Sequence, residues 1–317
     1  MTTAGSERLG IDLGGTKIEA ILLADNGEVT HRLRQPTPAN NYEATLAAIT
    51  EIADQIEKMA GIERNLPIGI GTPGAVSVAT GLMKNCNSTC LNDQPLREDL
   101  ARLSGRDVRI ANDADCFALS EASDGAAAGA SSVFGVILGT GVGGGIVSGG
   151  RLLAGINAIA GEWGHNPLPL NAYPEVVTPG RACYCGRVDC IETWLSGPGF
   201  AMSYNNRHNT TLTAVEIADL ARQGDDAART VLTEYTHLLA LALATVINVL
   251  DPEAIVLGGG MSNIASLYED LPGLLPRYVF SDRVDTRVLP NMHGDASGVR
   301  GAAWLWQAGE SSSATES

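Results

Sequence analysis

Glycine placement constrains this chain more than any other feature. Eleven of its 37 glycines fall between residues 135 and 164, and others sit in short runs where apolar segments end. Glycine weakens helix and strand interiors, but it lets a backbone turn left-handed or approach another backbone or a ligand closely. The excess is local rather than repetitive. That excludes a collagen-like or low-complexity chain and points to a functional loop. Hydrophobic residues make up 44% and charged residues 18% of the 317, which describes an ordinary globular protein long enough for two domains.

Charge narrows the partners. A net charge of −15, with no Lys/Arg run, repels phosphate backbones, so nucleic acid is not an expected partner. The first eight residues carry no apolar targeting segment. The most apolar stretch, 238–250, is too short for about 30 Å of hydrocarbon and contains Asn248. A soluble, cytoplasmic protein with no membrane partner is expected.

Segments 9–13, 18–24 and 29–33 read as strands, with Gly14-Gly15 and Asp25-Asn26-Gly27 as turns. Residues 41–60 put Leu46, Ile49, Ile52, Ala53 and Ile56 on one helical face. A short strand at 67–70, a polar loop at 71–95, a helix at 96–104, a strand at 107–111 and an alanine-rich helix at 114–128 follow. Segment 133–138 is an apolar strand, 139–145 a glycine loop and 146–147 another strand, so 133–152 echoes 9–29 and suggests duplication. Residues 157–190 read as a long irregular stretch. Helices are expected at 213–223, opened by a Thr213/Glu216 capping box, and at 225–249, closed by Asp251-Pro252. A buried strand at 253–257 and a last helix at 297–308 complete the pattern.

Several motifs carry chemistry. In Asp12-Leu-Gly-Gly-Thr-Lys17, Gly14 and Gly15 would let backbone amides approach a phosphate, while Thr16 offers a hydroxyl and Lys17 a cation. A strand follows it, so it is not a Walker A loop, and a plain hairpin turn is the alternative. Gly139-Thr140-Gly141-Val-Gly-Gly144 satisfies the spacing of a dinucleotide fingerprint, but three successive glycines running into Ile146-Val147 make a poor helix start. A second phosphate-facing hairpin is the better reading, and an NAD-dependent oxidoreductase rests on that motif alone. Gly258, Gly259 and Gly260, after a buried strand, form a third place of close approach. Asn112-Asp113 stands where a strand gives way to a helix; one of the two caps the helix, or Asp113 offers a carboxylate where open α/β sheets bind ligands.

His165, Cys183, Cys185 and Cys190 supply four ligands suited to a closed tetrahedral, structural Zn²⁺ site. The alternative is three buried thiols and a surface histidine. Cys86, Cys90 and Cys116 read as small apolar fillers. Glu162 and Glu192 flank the Cys/His set and are placed to hydrogen-bond a polyol.

These residues together resemble the ROK family (repressors, open reading frames, kinases) of sugar kinases. The carriers are Asp12-Leu-Gly-Gly-Thr-Lys17, Gly71-Thr-Pro-Gly74, Asn112-Asp113, Gly161-Glu-Trp-Gly-His165 and Cys183-Tyr-Cys-Gly-Arg-Val-Asp-Cys-Ile-Glu192, and the resemblance runs from residue 9 to about residue 306. Segments 84–92, 162–169 and 297–306 resemble the bacterial fructokinase (mannofructokinase) branch. The family implies an α/β, two-domain actin-like ATPase (ribonuclease H-like) fold with a cleft between the domains. The division expected here is a smaller α/β domain over 1–118, with helix 300–317 packing back on it, and a larger one over 119–299 holding the zinc knuckle. The family also implies a homodimer and transfer of the ATP γ-phosphate, with Mg²⁺, to a hydroxyl of a small-molecule sugar. By match of position, Asp113 is the catalytic base, and Gly74, Asn87, Asn112, Glu162, His165 and Glu192 are sugar ligands. Asp12, Gly14 to Lys17, Gly139 to Gly144 and Gly258 to Gly260 lie on the nucleotide side, while one nitrogen of His165 also serves zinc. The branch implies D-fructose going to fructose 6-phosphate, with mannose, glucose and N-acetylglucosamine as alternatives. A sugar-responsive repressor lacks its helix-turn-helix, and a zinc-stapled interaction protein would not account for the Asp12–Lys17 and Asn112-Asp113 motifs. One departure is Asp189, which stands where the knuckle usually has its second glycine; Asp tolerates left-handed backbone better than most residues.

Overall fold

The computed structural model describes residues 7–63, 65–86, 88–173, 180–307 and 310. The chain divides into two compact units. Unit 1 holds the described residues up to Asp124, with Ala154–Ala160 and those from Asp295 onward; unit 2 holds Gly125–Leu153 and Gly161–Gly294. The expected boundary at 118 falls inside a helix, and that helix stays whole in unit 1.

Unit 1 is built on strands β1 (Arg8–Leu13), β2 (Lys17–Leu23) and β3 (Val29–Pro36), helix α1 (Tyr42–Ala60), strand β4 (Ile68–Thr72), the small hairpin β5 (Ala75–Val76) and β6 (Met83–Lys84), helix α2 (Leu96–Ser104), strand β7 (Val108–Asn112) and helix α3 (Asp113–Ser123). The sheet order is β3-β2-β1-β4-β7. The β1/β2 and β2/β3 pairs are antiparallel, and the β1/β4 and β4/β7 pairs are parallel. α1 buries the predicted Leu46, Ile49, Ile52, Ala53 and Ile56, starts at an Asn41 cap and stops at Gly61, whose φ is +67°. The two-residue strands β5 and β6 are too short to show in the polar 71–95 segment.

The chain's last helix, Ser297–Trp304, packs on β1, β4 and α3 with backbone against backbone. A Cβ on Gly10 would overlap the carbonyl oxygen of Val299, one on Gly69 that of Ala302, and one on Gly301 that of Cys116. The helix ends before the expected position, because Arg8 donates to the Trp306 carbonyl (3.0 Å) and Arg109 to that of Leu305 (2.6 Å), drawing these groups out of helical pairing. Both guanidiniums also lie over indoles, Arg8 over Trp304 and Arg109 over Trp306. α3 likewise stops at Ser123 rather than 128, where the Asp124 carboxylate is held by Arg300 and glycine follows.

Unit 2 repeats the plan with β8 (Ser132–Leu138), β9 (Val142–Ser148) and β10 (Arg151–Leu152), helices α4 (Ile191–Leu195), α5 (Gly197–His208), α6 (Ala214–Gln223) and α7 (Asp226–Leu250), strand β11 (Ala254–Gly258), helix α8 (Ser266–Leu274) and strand β12 (Arg287–Pro290). The order β10-β9-β8-β11-β12 matches that of unit 1, with the antiparallel and parallel pairs in the same places. The echo seen in two hairpins thus extends to both whole sheets. Gly143, Gly144 and Gly145 belong to β9 and not to a loop: a Cβ on Gly144 would lie 2.9 Å from both the Phe134 ring and the Gly161 carbonyl oxygen. Residues 191–208, 266–274 and 287–290, which carried no assignment, form α4, α5, α8 and β12. α5 opens at Gly197-Pro-Gly because the Ser196 side chain accepts the Gly199 N–H. Thr213 and Glu216 do form a capping box. The apolar 238–250 stretch is part of the 25-residue α7, long and apolar enough to cross a membrane; 61% of its most apolar window is buried within the protein, as befits a core helix.

Gly301→Ala is expected to destabilise unit 1 by about 3 kcal/mol or more, because backbone must move to admit the methyl. Gly273→Ala, which meets nothing within 4 Å, should be neutral or slightly stabilising. Thermal midpoints of the two variants check this.

Candidate functional site

Parallel register assembles the first part of the site. Asp12 of β1 pairs with Gly71 of β4, and Thr72 of β4 with Asn112 of β7. The carboxyl ends of three adjacent strands therefore carry Asp12, Gly71-Thr72 and Asn112-Asp113 side by side. The capping role falls on Asn112, whose Oδ1 accepts the Asp115 N–H at 2.7 Å. Asp113 opens α3, and its Oδ1 accepts the Ala114 N–H at 2.8 Å. It is exposed by surface area, yet the protein packed around it removes enough water to raise its carboxyl above the ordinary value, against the pull of the backbone N–H groups.

Asp12 is more strongly perturbed. Burial first, then the carboxylates of Glu19 and Asp113, raise its pKa to about 6, with Lys17 opposing. An acid raised from 3.8 binds an extra proton in the native state between about pH 4 and 6, so its contribution to stability declines as pH rises through that window. A divalent cation would relieve this crowding of negative charge, which makes Asp12 a fitting Mg²⁺-side ligand. Gly71 and Gly298 flank the carboxylate: a Cβ on either would lie 3.7–3.8 Å from its Oδ1.

The β1–β2 turn is held from below. Gly14 N–H donates to the Lys17 carbonyl (3.0 Å), Thr37 Oγ1 to that of Gly14 (2.7 Å) and Thr37 N–H to that of Thr16 (3.0 Å). Gly15, Thr16 and Lys17 remain exposed. Lys17 Nζ lies 3.5 Å from Glu19, a buried carboxylate that also pairs with Arg32 and Arg34. Beside the turn is a cavity of about 360 Å³ lined by Gly15, Thr16, Thr37, Asn40 and Ser88 among others. Gly74 is required by packing, since a Cβ there would be 2.5 Å from Cys86 Sγ and from the Lys84 carbonyl oxygen. Thr72 Oγ1 donates to the Gly74 carbonyl at 2.8 Å. Asn87 lies outside the described residues. Thr37 was not singled out from sequence, since an isolated threonine after a strand gives no signal, and Thr72 entered only as part of the Gly71-Thr-Pro-Gly74 motif.

In unit 2, Gly139, Thr140 and Gly141 turn β8 into the antiparallel β9, which excludes the dinucleotide reading because no helix follows. The parallel β8/β11 pairing brings Gly258 to Gly260 beside that turn. Gly259, at φ +79°, has no room for a Cβ, which would sit 2.6 Å from the Leu138 carbonyl. The segment carrying Glu162 and His165 lies against β9. Trp163 Nε1 donates to the Gly143 carbonyl at 3.0 Å, and Gly161 and Gly144 approach backbone to backbone. Glu162 is exposed. Glu192, on α4, has its Oε2 on the Val142 N–H at 2.9 Å.

The ligand atoms of His165, Cys183, Cys185 and Cys190 lie within 4.8 Å of one another. Cys185 and Cys190 Sγ are 3.6 Å apart, as are Cys183 Sγ and His165 Nδ1. A tetrahedron with Zn–S near 2.3 Å has edges of about 3.8 Å, so the donor set and spacing fit zinc. Nδ1 of His165 faces the cluster, while Nε2 contacts the Tyr184 hydroxyl at 3.0 Å. Asp189 takes φ +55°. Its carboxylate accepts from Gly180 N–H (2.8 Å), Arg181 N–H (2.9 Å) and Trp194 Nε1 (3.1 Å), which accounts for Asp in place of glycine. Among the other cysteines, Cys86 and Cys116 are buried and Cys90 half-buried.

The chain matches the model of the ROK family over residues 8–309. The N-acetyl-D-glucosamine kinase of Escherichia coli O6:H1 is 40% identical over 298 residues, covering 93% of this chain and 98% of that protein. The ROK hexokinase from Thermus thermophilus superposes with a TM-score of 0.83 at 31% identity, over 94% and 97% of the two chains. The ROK family glucokinase from Streptomyces griseus, solved with glucose and AMPPNP, gives 0.72 at 27% identity, over 94% and 98%. The fold is therefore the actin-like ATPase fold. The Escherichia coli relative is an N-acetyl-D-glucosamine kinase, which does not bear out the fructokinase branch that 84–92, 162–169 and 297–306 suggest.

One tightly held zinc per chain is expected. Chelation should raise the sugar KM and the protease sensitivity of 157–192 before the whole fold is lost, since a formed scaffold shares the ordering that zinc supplies in isolated peptides. Elemental analysis of protein purified without chelator, followed by assay after metal stripping, checks both.

Proposed function

The chain belongs to the ROK family, and we propose that it is an ATP-dependent sugar kinase whose acceptor is N-acetyl-D-glucosamine. The kinase reading is carried by Asp113, which leaves the end of β7 beside Asp12 with its carboxyl raised above the ordinary value by the protein packed around it. The acceptor is supported by 40% identity along 93% of the chain to kinases of that sugar.

Phosphoryl transfer depends on positioning and charge neutralisation. Asp113 takes the proton of the attacking sugar hydroxyl at Oδ2, because Oδ1 already accepts a backbone N–H. Asn112 keeps its Nδ2 donors for a sugar oxygen while Oδ1 caps α3. Glu162 and Glu192 bind further hydroxyls, His165 does so with Nε2 by exchanging the Tyr184 hydroxyl for one of the sugar's, and Gly74 and Asn87 complete the sugar side. The turns Gly14 to Lys17, Gly139 to Gly141 and Gly258 to Gly260 serve the nucleotide through amides such as those of Gly15, Thr16 and Thr140 and through the Lys17 ammonium, while the Gly14 and Gly139 N–H groups hold their own turns in shape. Mg²⁺, held on the Asp12 side, would supply neutralising charge to the phosphates, and Zn²⁺ would staple the loop carrying His165. A homodimer in the cytoplasm belongs to the same proposal.

D-Fructose is the second reading, resting on segments 84–92 and 162–169. A coupled ADP-release assay over N-acetylglucosamine, fructose, glucose and mannose should give the highest kcat/KM for N-acetylglucosamine. A higher value for fructose would reverse the acceptor, and no turnover with any sugar would end the kinase reading. Asp113→Asn should lower kcat on the order of 10²–10⁴ while AMPPNP still binds. Near-normal turnover in that variant would move the base elsewhere.

A further inference from the structure

Glu192 occupies a position that a sugar ligand alone does not require. It sits on α4, which begins directly after the cluster residue Cys190. Its Oε2 accepts the Val142 N–H at 2.9 Å. A Cβ on Gly141 would lie 2.6 Å from that same oxygen, and beyond the chain neighbours nothing but Glu192 comes within 4 Å of it. The absent side chain at 141 therefore makes room for a carboxylate. A few residues on, Gly197 N–H donates to the Gly139 carbonyl at 2.8 Å. The Gly139–Gly141 turn is thus gripped at both ends by the segment that follows the Cys/His cluster. Among the described residues, Oε1 of Glu192 makes no hydrogen bond, so half of the carboxylate's accepting capacity is left over.

We propose that Glu192 is a positioning residue for the nucleotide turn as well as a sugar ligand. Oε2 fixes the turn that presents its amides to the phosphates, and Oε1 takes a sugar hydroxyl. A sugar that orders this carboxylate also orders the turn, so sugar and nucleotide each tighten the binding of the other by the same factor. The sugar half of this rests on the kinase reading above; the hold on the turn does not.

The test is AMPPNP affinity, by calorimetry, with and without saturating N-acetylglucosamine. Glu192→Ala should weaken AMPPNP binding in the absence of sugar by about 5–10-fold, the loss of one charge-assisted hydrogen bond, and abolish the gain that sugar gives. Glu192→Gln should stay within about two-fold of the parent without sugar, since its amide oxygen still accepts the Val142 N–H. Gly141→Ala, which pushes the carboxylate aside, should mimic Glu192→Ala, and the double variant should be no worse than either single one. Gly141→Ala and Glu192→Gln keep the test open should Glu192→Ala fail to fold. A folded Glu192→Ala protein with parental AMPPNP affinity in the absence of sugar overturns the positioning role, whatever its sugar KM. If the parent binds AMPPNP and the variants respond as stated but no sugar is phosphorylated, the positioning role stands and the kinase reading falls. A parent that does not bind AMPPNP overturns both.

Discussion

Backbone packed directly on backbone is the contact on which both units depend. In unit 1 the last helix meets the sheet through Gly10, Gly69 and Gly301, and in unit 2 the 161–164 segment meets β9 through Gly144 and Gly161. At such separations a methyl group does not fit, so the positions tolerate little sequence change. The payoff is placement. The last helix brings Gly298 against the Asp12 carboxylate, and the second contact holds the segment of Glu162 and His165 against a rigid strand.

Electrostatics then give those positions chemical meaning. Asp12, Glu19 and Asp113 concentrate negative charge at the ends of β1, β2 and β7, and burial sharpens it. Glu19 is offset by Arg32, Arg34 and Lys17. No such counter-charge outweighs the crowding at Asp12, whose carboxyl is pushed up to about 6. An acidic centre of this kind suits a site where a cation and polyphosphate arrive together.

Much of this was legible in the sequence because the signals were local. Periodicity placed α1 and its buried face, the capping box placed α6, and His165 with three spaced cysteines placed the cluster. The failures share a cause: tertiary contact overrides local preference. Three glycines read as a loop became strand because Phe134 and Gly161 occupy the space of a side chain. Two helices stopped early where arginines captured the groups that follow them. The bond between Glu192 and Val142 joins residues fifty apart and leaves no trace in spacing. Short segments point to one branch while the chain as a whole aligns with kinases of another sugar, so acceptor identity is not legible from local motifs.

Asp189 bears on how a metal ion would be received. Its carboxylate ties together Gly180, Arg181 and the Trp194 indole, while Arg181 lies over that indole and donates to the Thr193 and Gly199 carbonyls. A glycine at this position would supply the left-handed turn and none of these bonds. The thiolate side of the knuckle is therefore shaped by the protein itself, and the entropy of arranging Cys183, Cys185 and Cys190 is largely met before an ion arrives. Such a loop behaves as a preformed chelator. A zinc ion arriving there would require little further ordering of the loop.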